Sequence, residues 1–97
     1  MIGVIARISV KPDQCAAFEA LIAELTAATR ATEPGTLLYQ LCKSRKAATD
    51  YTLMELYKDQ ASFDVHMSSD GFKAASLKMK EMLAGRPALE FVDAVGG

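Results

Sequence analysis

The chain carries one histidine and two cysteines in 97 residues, and each scarcity removes a class of function. A single histidine without a ligand cluster around it makes a metal centre improbable. No nucleophile motif stands beside it, so no Ser-His-Asp set can be assembled. Cys15 and Cys42 are too few for a disulfide framework and lack metal-like spacing, which reads as two reduced thiols in a cytoplasmic protein. A basic stripe is missing too: 11 basic residues face 12 acidic ones for a net charge of -1, and no Arg/Lys run lies near aromatics, so nucleic acid is not an expected partner. Fully apolar runs extend only a few residues, and the N-terminal MIGVIARISV has neither a basic leader nor a long apolar core. Neither a signal peptide nor a membrane span is therefore expected.

What the chain does have is apolar surface. Hydrophobic residues make up 51% of it, although a single domain of this length buries only roughly two-thirds of the surface its unfolded form exposes. The surplus predicts a face covered by a second copy, a homodimer. Proton chemistry near neutral pH points to His66, the one side chain whose ordinary titration falls there.

Residues Ile2 to Val10 alternate apolar and other positions as a strand does. Lys11-Pro12-Asp13 breaks it, with Asp13 placed to cap a helix whose apolar stripe is Phe18, Leu21, Ile22, Leu25 and Ala28. Glu33-Pro34-Gly35 reads as a turn, the glycine supplying a positive dihedral. Thr36 to Cys42 and Tyr51 to Tyr57 read as antiparallel strands joined by a polar loop from Lys43 to Asp50. Asp59 sits at an N-cap position before a short helix carrying Ala61, Phe63 and His66. Ser68-Ser69-Asp70-Gly71 interrupts the pattern, with Ser69 and Asp70 as the cap that restarts it. A second helical segment follows with Phe72, Ala75, Met79, Met82 and Leu83 at helical spacing, stopped by Gly85 and Pro87. Ala88 to Val95 alternates as a last strand. The order β-α-β-β-α-β predicts one α+β domain over residues 1–97, a ferredoxin-like antiparallel sheet with its helices on one face. The strands carry apolar residues on both faces, Ile5 opposite Ile8 and Met54 opposite Leu53. Two sheets packed face to face would bury the second one.

Nearly the whole chain is similar to the antibiotic biosynthesis monooxygenase (ABM) superfamily, dimeric α+β barrels that include small quinol monooxygenases. The likeness lies in the element order, in the helix and Glu33-Pro34-Gly35 turn leading to Tyr39, and in the spacing of Glu55, Tyr57, Asp59, His66 and Ser69, with Phe72 following. It implies a pocket between sheet and helices in which a quinol or polycyclic phenol reacts with O₂ without metal, flavin or haem. A deprotonated electron-rich aromatic can itself reduce oxygen, so the protein need only remove a proton, hold the anion and exclude water. By that resemblance His66 is the base or hydrogen-bond partner, Tyr51, Tyr57 and Tyr39 are orienting hydroxyls, and Phe63, Phe72, Met54 and Met67 are apolar walls; strand parity forbids all of them from sharing one pocket.

Two other branches are similar over the same segment. In the haem-degrading branch an Asn, a Trp and a haem-ligating His fall where this chain has Ala6, His66 and Ser76, and serine is no haem iron ligand; haem degradation is rejected. The isomerases of phosphorylated autoinducer-2 would use His66 as base but need clustered cations, for which Arg7, Lys43, Arg45 and Lys73 are the candidates. A non-catalytic dimer binding a hydrophobic small molecule is the third alternative.

Several residues keep a structural reading beside the chemical one. His66 could equally pin its helix to the sheet through a hydrogen bond. Glu55 either pairs with a cation such as Arg7 across the sheet, the simpler reading, or works in a site. Tyr51 and Tyr57 share its face and fit a core or an interface, while the five methionines are most simply flexible core filling.

Overall fold

The computed structural model describes residues 1–96. Strand β1 (Ile2–Ser9) leads through a 3-10 turn at Pro12–Gln14 into α1 (Cys15–Thr32). Strands β2 (Thr36–Lys43) and β3 (Asp50–Tyr57), helices α2 (Gln60–Ser68) and α3 (Asp70–Met82), and β4 (Ala88–Asp93) complete the chain. The sheet order is β2-β3-β1-β4, antiparallel throughout. That is the ferredoxin-like arrangement expected from the element order.

Alternation does the layering. On β1, Val4, Ala6 and Ile8 are buried, as are Tyr51, Leu53 and Tyr57 on β3, and all face the helices. Phe18, Leu21, Ile22 and Leu25 of α1 pack onto them, the 3.6-residue stripe meeting the two-residue period of the sheet. The stripe ends on Thr29 instead of Ala28. Asp13 is not the helix cap: proline draws residues 12–14 into the 3-10 turn, and Gln14 precedes α1 with no side-chain cap bond. Asp59 does cap α2, accepting from the Ser62 amide at 2.8 Å, and Ser69 Oγ accepts from the Phe72 amide to restart the chain as α3.

The opposite sheet face holds Ile5, Leu38, Met54, Leu56 and Val92 with no layer over it. Leu38 and Met54 are 42% and 44% exposed. Arg7 lies on this face and meets Glu90 at 3.2 Å. The expected Arg7–Glu55 pair does not form, because odd positions of β1 and odd positions of β3 point to opposite sides in the observed register. Helix-side positions Leu89 and Phe91 of the edge strand β4 are also exposed, and Phe91 touches only the edge of the Phe63 ring, 5.7 Å between centroids.

Gly35 follows Pro34 in the turn into β2 without a positive φ. Its need for glycine is spatial: a Cβ there would collide with Ser62 of α2, at Oγ and at 2.6 Å from Cβ. The Gly35 carbonyl also accepts from the Lys58 amide at 2.8 Å, so the turn cannot easily retreat. Gly35→Ala is expected to cost about 1–3 kcal/mol of stability. In urea melts Ser62→Gly should recover most of that loss, whereas equal losses in both Ser62 backgrounds would rule the close approach out as its cause.

Candidate active site

The 18 residues of α1 extend about 27 Å, and that length delivers Glu33, its C-cap, to the level of α2. His66 lies in the last turn of α2 and is 0% exposed. Its Nδ1 meets Glu33 Oε1 at 2.8 Å, and the Thr36 hydroxyl donates to the same oxygen at 3.3 Å. A neutral imidazole that donates Nδ1–H to a carboxylate keeps an acceptor lone pair on Nε2. That nitrogen is buried and has no partner among the described residues, which is costly unless something else completes it.

Three rings enclose the imidazole: Tyr39 at 4.9 Å, Phe72 at 5.1 Å and Tyr57 at 5.6 Å between centroids. Phe63 stands edge-on to Tyr57 at 5.3 Å. The Tyr57 hydroxyl donates to Glu55 Oε1. Glu55 is drawn from the helix-facing row of the central strand β3, with Tyr39 and Val4 as its cross-strand neighbours. Burial pushes its carboxyl up to about 7, and the Tyr57 hydrogen bond offsets part of that rise. The Tyr39 hydroxyl is pushed well above the usual tyrosine range by burial and then by the charges of Glu55 and Glu33, and Tyr57 is pushed up by burial and by its bond to Glu55. Two carboxylates, one histidine and two tyrosines thus share one partly desolvated cluster.

Of the residues singled out in the sequence, the structure brings together His66, Tyr39, Tyr57, Phe63 and Phe72. Met54 stands on the other face of the sheet, because its position on β3 alternates with Leu53 and Glu55. Met67 follows His66 on α2 and is 40% exposed. Tyr51 is six residues from Tyr57 along β3, about 20 Å away. Its hydroxyl donates to Glu19 Oε2 at 2.6 Å, Lys43 Nζ meets the same oxygen at 2.9 Å, and Phe18 lies 5.0 Å from its ring. Tyr51 and Tyr39 line a separate groove of about 400 Å³ between α1 and β2. The cations needed by a phosphorylated substrate are dispersed, Arg7 bound to Glu90 and Lys43 to Glu19. Glu33 was not legible as a site residue; a turn-forming Glu-Pro-Gly gives no sign of a partner 33 positions on. Among the described residues, no three His, Cys, Asp or Glu side chains gather as metal ligands, and no helix is long and apolar enough to cross a membrane.

An antiparallel four-stranded sheet, helices on one face and a polar cluster between the layers define a small ferredoxin-like α+β domain. The chain belongs to the antibiotic biosynthesis monooxygenase family, whose model matches residues 1–77. A Caulobacter crescentus structure named as a "putative antibiotic biosynthesis monooxygenase" is 40% identical, with 98% of this chain and 90% of that one covered and a TM-score of 0.95. A second structure, named as an antibiotic biosynthesis monooxygenase, is 27% identical over 99% of this chain and 100% of its own, with a TM-score of 0.90. A conserved protein from Methanosarcina mazei is 28% identical over 94% and 89%, with a TM-score of 0.89. No curated protein matches. Family and neighbours support a monooxygenase-type function.

Proposed function

We propose that the protein is a cofactor-independent monooxygenase that oxidises a quinol or polycyclic phenol with O₂. The observation that carries this is the buried His66–Glu33 pair inside the Tyr39, Tyr57 and Phe72 rings, with an unpaired Nε2. A phenolic hydroxyl is the donor that Nε2 lacks, and flat rings suit an aromatic substrate. His66 then anchors the hydroxyl, Tyr57 orients it, and Phe63 and Phe72 exclude water from the anion. For a substrate with two removable hydrogens at the reacting position, loss of one proton leaves an electron pair that forms a C–O bond to O₂. The resulting hydroperoxide loses water as the O–O bond breaks: one oxygen atom ends in the new carbonyl, and the other leaves with both hydrogens.

The apolar sheet face of Ile5, Leu38, Met54, Leu56 and Val92 fits a second copy packed sheet to sheet, as a homodimer. Oxygen uptake by the purified, metal-stripped protein against quinols and anthrones, beside a no-enzyme blank, tests the reaction. Uptake above autoxidation is expected for at least one of them. Turnover that continues in anaerobic buffer would favour an isomerase, and saturable binding without turnover a non-catalytic binder.

A further inference from the structure

The buried ionisable groups are not equally reachable. His66 is completely enclosed, whereas Glu55, in the same cluster, keeps part of its side chain at the surface. Glu55 also lacks the partner that a carboxylate on the inner face of a central strand ordinarily requires. None of the ion pairs among the described residues includes it, and its one side-chain hydrogen bond is from the Tyr57 hydroxyl. The groups facing it are Tyr57 from its own strand and Tyr39 from β2, with Glu33 and His66 behind them; β1 contributes only Val4. Every titratable neighbour except His66 is neutral or acidic, so nothing in the fold rewards a charge at this position. Glutamine would satisfy Tyr57 equally well without any charge to desolvate.

We infer that Glu55 is a catalytic residue, the group that takes the proton from the phenolic substrate and later returns it to the peroxide oxygen, while Glu33 fixes the orientation of His66 behind it. The assignment rests on the monooxygenase reading above. In the first step the substrate C–H or O–H bond breaks, its proton goes to the Glu55 carboxylate and its electron pair stays on the ring. After O₂ adds, the same proton passes to the peroxide oxygen and the carboxylate is restored. A carboxyl titrating near neutrality can both accept and release a proton at working pH.

The test is the pH profile of kcat/KM for the best quinol, measured by oxygen uptake with the wild type, Glu55→Gln, Glu55→Asp and Tyr57→Phe. Wild-type activity should rise with pH and reach half its plateau near 7. Glu55→Gln should lose about 10²-fold and flatten the profile, and Glu55→Asp should recover part of the rate. Tyr57→Phe removes the bond that holds the Glu55 carboxyl down, so the midpoint should move to higher pH; a merely structural Glu55 would not shift it. A glutamine variant that folds and keeps both the wild-type rate and its pH dependence overturns the assignment while leaving the monooxygenase intact. Should Glu55→Gln fail to fold, an unshifted midpoint in Tyr57→Phe overturns it instead. A wild type without uptake on any substrate overturns the functional reading and this step with it, a result separate from either of those.

Discussion

Glu33→Ala is expected to lower the stability of the domain by about 3–5 kcal/mol, the cost of leaving one member of a buried polar pair alone. His66 would then have neither ring nitrogen satisfied, since Nε2 already lacks a partner, and the surrounding Tyr39, Tyr57 and Phe72 rings offer it nothing. For a domain of this size that loss corresponds to a fall in Tm of roughly 12–40 °C, a large share of the total stability of a small protein. His66→Phe alone should also destabilise, because Glu33 would keep only its bond from Thr36. The informative variant is the double one, Glu33→Leu with His66→Phe. An apolar pair of similar volume is often as stable as the polar one it replaces, so the double variant should recover much of the single losses while lacking any oxygen uptake. Urea melts of the wild type, Glu33→Leu, His66→Phe and the double variant close the cycle. A double variant that remains active would remove His66 from the chemistry and leave the pair a structural pin.

The layout of this molecule was legible because its periodicities are clean. The alternation along Ile2 to Val10 and Tyr51 to Tyr57, and the Phe18-Leu21-Ile22-Leu25 stripe, fix which faces meet, and the observed register follows them. The caps at Asp59 and Ser69 were readable for the same reason: a side-chain oxygen three residues before an amide is a local event. The site was less legible, since its contacts are long-range. Glu33 and His66 are joined only because α1 has the length to bring one to the other, and nothing in either local sequence encodes that distance. Strand parity did separate Met54 from Glu55, yet it could not show that Tyr51 and Tyr57, on one face, belong to different clusters. That distinction depends on how far α2 reaches along β3. Arg7 and Glu55 fail to pair for a register reason, and Arg7 finds Glu90 because β4 returns beside β1.

The second large effect is a loss of stability with rising pH, caused by Glu55. Its carboxyl sits at about 7 in the folded protein against 4.5 for the ordinary side chain, so between those values the folded chain holds a proton that the unfolded chain has released. Stability therefore falls as pH rises through this window. The contribution is fully present below about 4.5 and gone above about 7, a change on the order of 3 kcal/mol. Glu19 and Asp59, held low by Tyr51 and Ser62 respectively, act in the opposite sense but only at more acid pH, so they do not obscure the range from 5 to 8. Urea unfolding of the wild type and Glu55→Gln across that range isolates the effect. The two proteins should be close in stability at pH 5, and the glutamine variant should gain on the wild type as pH rises, then run parallel to it above the transition. A constant difference across the range would mean that Glu55 titrates normally in the fold. If the gap opens as expected, the native glutamate weakens the protein at neutral pH, where glutamine would not, and a carboxylate retained at that cost has the character of a working group instead of a structural one.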